Sequence, residues 1–184
     1  MVYRINVAGL ERDLPLCPIS DSLNIGAFIL FGDVELTERS AEALYAKAPE
    51  HDVMLTAESK GIPLIHAMCR ISGKNRYVLA RKSVKLYMKD VVACETKSIT
   101  TGAMQTLYID GDDAEYMKGK RVLIVDDVIS TGGSLLSLEN LVSRAGGTVV
   151  GKMAVLAEGD AIGREDIVYL APLPLFDKDG NPIG

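Results

Sequence analysis

Apolar residues along the chain fall into short, continuous runs separated by stretches of helical periodicity. Asp52-Val53-Met54-Leu55-Thr56, Tyr77-Val78-Leu79-Ala80, Gln105 to Ile109, Val122-Leu123-Ile124-Val125, Thr148 to Leu156 and Ile167 to Ala171 read as strands. Runs that do not alternate with polar residues mark strands buried on both faces, the habit of parallel sheets. Between them, Ala41, Leu44, Tyr45 and Ala48 share one face of a helix that Thr37 caps and Pro49 follows. A second helix spans roughly Ile62 to Ile71, with Pro63 in the first turn, where its missing N–H costs nothing. Leu135, Leu138, Leu141, Val142 and Ala145 recur at helical spacing before Gly146. Strands alternating with helices predict an α/β fold, a parallel sheet flanked by helices.

One domain accounts for the 184 residues. Within it the pattern sets off a small, partly irregular N-terminal subdomain (1–36), the α/β core (37–171) and a proline-bearing tail (172–184) that wraps the surface. The section from about Tyr87 to Met104 is polar and lysine-bearing, and reads as a long loop. Asp110-Gly111-Asp112-Asp113 reads as an acidic turn.

Composition narrows the partners. A formal net charge of −5 argues against non-specific nucleic-acid binding, which leaves a basic footprint. No apolar run approaches the roughly 20 residues that span a bilayer, and the first residues lack a signal-peptide pattern. Cys17, Cys69 and Cys94 are odd in number and widely spaced, and two histidines make a zinc cluster an unpromising reading, so no metal ligands are assigned. The cysteines read as reduced residues of a cytoplasmic protein, with Cys94 in a mobile, accessible loop.

The densest chemistry lies in Val122 to Ser134. An apolar strand ends in two adjacent carboxylates, Asp126 and Asp127. A hydroxyl and glycine loop, Ser130-Thr131-Gly132-Gly133-Ser134, then opens a helix. Ligands of open α/β sheets bind beyond the carboxyl ends of such strands. Glycines let backbone approach an anion, and the helix amides point at it. Carboxylates suit hydroxyls or a hard cation. Together these residues describe a pocket for a phosphorylated sugar, whereas paired acids alone would equally suit an ordinary capped junction. Gly146 to Met153 nearly spells a Walker A loop, but Met153 brings no hydroxyl and the glycines precede a strand, so it is a helix end and a turn.

The Val122–Ser134 segment resembles the phosphoribosyl pyrophosphate (PRPP) signature of type I phosphoribosyltransferases. That resemblance implies that Asp126 and Asp127 bind the ribose hydroxyls, and that Ser130, Thr131, Gly132, Gly133 and Ser134 hold the 5-phosphate. It also implies that Ala57-Glu58-Ser59-Lys60-Gly61 is the pyrophosphate loop, often built on a non-proline cis peptide. The adenine-specific branch usually carries Arg where Lys60 stands, which keeps the charge but not the bidentate fork. Arg81-Lys82-Ser83-Val84-Lys85-Leu86 resembles the cationic segment of adenine phosphoribosyltransferases, whose charges meet pyrophosphate, sometimes from the neighbouring subunit. On bare sequence that run is an ordinary solvated turn.

The resemblance further implies a flexible loop over Tyr87–Met104 that closes over PRPP, with Lys97, Ser98, Thr100, Thr101 and Gly102 at its tip. The branch typically has Glu there, and Ser98-Ile99-Thr100-Thr101-Gly102 has Thr. An N-terminal hood, roughly Leu14 to Phe31, would cover the base, with Phe28 and Phe31 available for stacking and Glu158 flanking it. The expectation is an adenine-type purine phosphoribosyltransferase with Asp126, Asp127 and Lys85 as catalytic residues, using Mg²⁺ bound mainly through PRPP and acting as a homodimer. Orotate phosphoribosyltransferase and a PRPP-sensing regulator with little catalysis stand as alternatives.

Overall fold

The computed structural model describes residues 1–97 and 104–183. Its centre is a parallel sheet of five strands in the order β10-β9-β8-β4-β5. These are β4 (Val53–Ala57), β5 (Val78–Ala80), β8 (Arg121–Ile129), β9 (Thr148–Glu158) and β10 (Val168–Leu173). The apolar runs that predicted them are buried on both faces. Met54, Leu123 and Val125 pack into one core with α1 (Val34–Tyr45) and α2 (Ile62–Ser72). Val53, Leu55, Val122 and Ile124 pack into a second with α3 (Gly111–Met117) and α4 (Gly133–Arg144). Alternate side chains thus anchor each central strand to opposite layers.

Several local expectations are corrected. Helix α1 starts four residues earlier than predicted because Asp33, not Thr37, caps it: the Asp33 carboxylate accepts the Leu36 amide at 3.0 Å. Thr37 lies inside the helix and donates its hydroxyl back to the Asp33 carbonyl at 2.7 Å. Asp110 likewise caps α3, so the acidic turn is a helix start whose acids favour its dipole. The supposed loop 87–104 contains β6 (Val92–Lys97), paired antiparallel with β7 (Met104–Ile109) as a ribbon outside the main sheet. Cys94, read as a mobile and accessible thiol, is buried in that ribbon. The tip residues Ser98, Thr100, Thr101 and Gly102 lie outside the described residues. His51 is buried, with Nδ1 2.7 Å from the Pro49 carbonyl oxygen, while His66 is exposed.

The N-terminal segment is more regular than predicted. β1 (Val2–Val7), β2 (Leu10–Pro18) and β3 (Leu23–Gly26) form an antiparallel sheet. Two short strands of the tail, β11 (Leu175–Asp177) and β12 (Pro182–Ile183), extend it: β11 pairs with β3. Phe176 is fully buried there and its ring meets Tyr3 at 4.9 Å between centroids. The tail is therefore part of the hood's sheet. The proline count hid this, because Pro174 and Pro182 flank or end short strands, where proline is tolerated.

Gly26, at the end of β3, is packed against Leu14, Leu173 and Phe176, so the hood sheet sits directly on the end of β10. Phe176→Ala should lower unfolding free energy by roughly 3–5 kcal/mol, the usual cost of emptying a buried Phe site. Denaturant unfolding measures it. A cost below about 1 kcal/mol would mean that the tail adds little to the hood.

Candidate active site

The carboxyl ends of β4, β5 and β8 meet in one cleft, and local sequence explains what each brings. β8 runs on past its apolar stretch, so Asp126 and Asp127 lie within the strand rather than after it. Asp126 is paired in register with Ala154 of β9. This leaves two adjacent carboxylates inside a low-dielectric wall. The Asp126 carboxylate accepts the Asp127 amide at 2.9 Å. Lys60 Nζ lies 2.8 Å from Asp127 Oδ2, whose side chain is 6% exposed. Burial first, and then the neighbouring Asp127 carboxylate, push Asp126 well above the usual carboxylate range.

The loop after β4 closes this wall. The Glu58–Ser59 peptide bond is cis, as the resemblance anticipates. Gly61 is required by close approach: a methyl group there would lie 2.3 Å from Thr56 Oγ1 and 3.2 Å from Asp126 Oδ1. Thr56 is fully buried under the loop, and its role was not legible in sequence because a Thr ending a buried strand is ordinary. Glu58 ties the loop to the end of β5: its carboxylate accepts the Lys82 amide at 3.0 Å and lies 3.8 Å from Arg81 Nη1. Arg81 in turn exchanges backbone hydrogen bonds with Tyr108, fastening the β6–β7 ribbon beside the cleft.

Three compartments result. The central space, about 370 Å³, is bounded by Glu58, Ser59, Lys60, Lys82, Asp126 and Asp127, with Thr106 and Leu107 of β7 opposite. A small recess of about 60 Å³ is formed by Ser130 to Ser134 at the start of α4. Gly132 there has φ +80°, a left-handed conformation that a side chain would disfavour. A third space of about 370 Å³ lies under the hood, between Ile25 to Ile29, Lys60, Ser130 and Glu158. Val128 borders all three, Lys60 joins the first to the third, and Asp126 and Ser134 join the first to the second. Burial, reinforced by the Asp127 carboxylate and opposed by Lys60, raises the Glu158 pKa.

Most of the predicted residues therefore converge. Phe28 is buried at the floor of the hood compartment, while Phe31 is half exposed and faces a different groove beside His66 and Tyr77. Lys85 is not brought to the cleft: its ammonium donates to Ser83 Oγ at 2.8 Å, outside the lining. Lys60 faces a carboxylate rather than standing free for an incoming anion. Thr106 and Val128 were not anticipated. The strand that carries Thr106 was predicted, but its pairing with β6 in a ribbon beside the cleft was not.

Known proteins resemble this chain. The family model described as phosphoribosyl transferase domain matches residues 35–171. A hypoxanthine/guanine phosphoribosyltransferase of Methanococcus maripaludis is 31% identical over 159 residues, covering 82% of each chain. The adenine phosphoribosyltransferase of Thermotoga maritima is 39% identical over 168 residues, covering 85% of this chain and 88% of the relative. An adenine phosphoribosyltransferase structure from Thermoanaerobacter pseudethanolicus has the same fold, with a TM-score of 0.73 at 23% identity over 86% of this chain and 95% of that one.

The buried carboxylate has a consequence for stability. With its pKa raised in the folded state, Asp126 costs nothing in acid, where it is neutral folded or unfolded. The cost grows as pH rises above the ordinary carboxylate value towards the raised one. Asp126→Asn should therefore stabilise the fold by roughly 1–3 kcal/mol at mildly alkaline pH and by nothing near pH 3. Thermal unfolding across that range decides it, and a pH-independent difference would show that Asp126 is not held against its charge.

Proposed function

The chain belongs to the phosphoribosyl transferase family, and from that premise we propose that it joins a purine base to the 5-phosphoribosyl group of PRPP. The products are a nucleoside monophosphate and pyrophosphate, the chemistry of purine salvage. The observation that carries this reading is the three-part cleft: a recess at a helix N-terminus for the 5-phosphate, a carboxylate-lined centre for ribose and pyrophosphate, and an apolar compartment under the hood for the base.

In the reaction, N9 of the base attacks C1 of the ribose as the C1–O bond to pyrophosphate breaks, inverting that carbon. Positive charge develops on the ring. Asp126 and Asp127 accept the ribose hydroxyls and favour that charge electrostatically. Ser130, Thr131 and Ser134, with the amides around Gly132 and Gly133, grip the 5-phosphate and fix the ring against the base. The backbone of Glu58, Ser59 and Lys60 faces the pyrophosphate, with Arg81 and Lys82 beside it. Phe28 and Glu158 line the space for the base. The two carboxylates also suit a hard cation that takes its remaining oxygens from substrate. Asp126 and Asp127 would hold Mg²⁺ together with PRPP, and the ion would supply positive charge against the pyrophosphate.

Lys85 fits this scheme across a homodimer. It is carried on a segment whose Val84, Leu86 and Tyr87 side chains are exposed, which supports an apolar contact that would present Lys85 to the neighbouring subunit's cleft. No helix among the described residues is long and apolar enough to cross a membrane, and the acidic chain suits a cytoplasmic enzyme of small substrates.

Adenine is the first base to try. A 6-oxopurine is the second, because Lys60 and Glu158 offer a donor and an acceptor side by side at the hood compartment. Pyrophosphate release from PRPP and Mg²⁺, with adenine, hypoxanthine, guanine, xanthine and orotate offered singly, tests the proposal. Release with a purine supports it and names the base. Release with orotate alone, or silence with all five alongside tight PRPP binding, would replace it with an orotate enzyme or a PRPP sensor.

A further inference from the structure

Beyond the cleft, one ion network reaches back to the phosphate recess. Arg164 lies in the loop that follows β9, and its guanidinium forks onto Asp166: Nε donates to Oδ1 at 2.9 Å and Nη2 to Oδ2 at 2.7 Å. Asp166 is held in turn by Lys152 of β9, whose ammonium donates to Asp166 Oδ2 at 2.6 Å and to Glu139 Oε1 at 2.9 Å. The Lys152 side chain is only 16% exposed, against 33% for Arg164 and 47% for Asp166, so Lys152 is the anchored end of the network. Glu139 belongs to α4, the helix that the recess opens. The network thus ties β9 and α4 to one arginine.

The fork fixes the remaining guanidinium nitrogen. Nη1 is aimed at the recess loop, and a methyl group built on Gly132 would lie 2.9 Å from it. Gly132 is therefore confined twice, by its left-handed φ of +80° and by Arg164 pressed against the space a side chain would occupy. Arg164 does not line the recess itself. Whatever it does for a ligand, it does through the loop.

We propose that Arg164 is a positioning residue for the 5-phosphate: held in place by Asp166 and Lys152, it braces the Ser130–Ser134 loop at Gly132 in the conformation that grips phosphate. The proposal rests on the reading of that loop as the phosphate site. A planar fork anchored at two points sets the position of its third nitrogen, which a lysine cannot do. Bracing matters because a loop of serine, threonine and glycine would otherwise pay for its order each time a ligand binds. The brace acts on one end of the substrate alone, since Glu58, Ser59 and Lys82 are held by different contacts.

Calorimetry with ribose 5-phosphate and, separately, with pyrophosphate tests this on the full-length protein and on Arg164→Gln, Arg164→Lys, Asp166→Asn and Thr131→Val. Arg164→Gln should weaken ribose 5-phosphate by about tenfold and leave pyrophosphate unchanged. Arg164→Lys should fail nearly as badly despite keeping its charge. Asp166→Asn should reproduce the loss, and the Arg164→Gln/Asp166→Asn double variant should be no worse than either single one. In turnover, the loss should appear in KM for PRPP far more than in kcat. Melting temperatures of all variants are recorded beside these values. Equal weakening of both ligands, or a loss that merely tracks a lower melting temperature, would overturn the proposal and leave Arg164 a structural residue. Parent-like ribose 5-phosphate binding in Arg164→Gln, with binding lost in Thr131→Val, would overturn the brace and spare the phosphate-loop reading. A parent protein that binds no ribose 5-phosphate would overturn both.

Discussion

Two adjacent carboxylates are held within a strand that is otherwise apolar on both faces, and the rest of the site is arranged around that cost. Charge inside such a wall is expensive unless it is paired. Lys60 lies against Asp127, and Asp126 is left with a raised pKa and an amide to accept. Gly61 has no side chain because the loop carrying Lys60 must pass within contact of Thr56 and Asp126. The core on both faces anchors β8, and Asp127 is buried while Asp126 lines the cleft. The free protein thus carries an uncomfortable arrangement that a polyhydroxyl ligand with a cation would relieve, which is how a site can hold electrostatic preorganisation ready for a positively charged sugar.

The same argument explains the division of labour around the cleft. The centre is carboxylate-rich and is closed by the 57–61 loop on one side and the β6–β7 ribbon on the other. Anion binding is delegated to backbone at the recess, where helix amides carry no desolvation cost of a full charge. The third compartment sits under a separate sheet, with Lys60, Ser130 and Glu158 facing the apolar hood residues. Such separation fits a family whose relatives are named for different purines.

Much of this was legible in the chain because the relevant signals are local. Val122 to Ser134 spells strand, acids, glycines and helix in order, and the structure builds them in that order. The parallel sheet followed from continuous apolar runs, and α2 and α4 from their spacing. What could not be read depended on distant partners. Asp33 outcompetes Thr37 as a cap only once the chain around it is placed. The tail's role depends on β11 finding β3, more than 150 residues away in sequence. The ribbon's β7 was readable as a strand, but β6 resembles a loop until it pairs with it. Arg164 looks like any charged turn residue, and Lys60 looked like an anion ligand until Asp127 was found beside it.

The carboxylate pair is the claim to test most directly. Calorimetric titration of Mg²⁺-PRPP near pH 7, repeated in buffers of different ionisation enthalpy, reports protons exchanged on binding. A cation or a developing positive charge beside Asp126 favours its ionised form, so binding should expel the proton that burial keeps there. The parent protein should release up to about one proton more per PRPP than Asp126→Asn does, with tighter binding as pH rises. Identical proton release in the two proteins would contradict the idea that this buried pair is where PRPP is held.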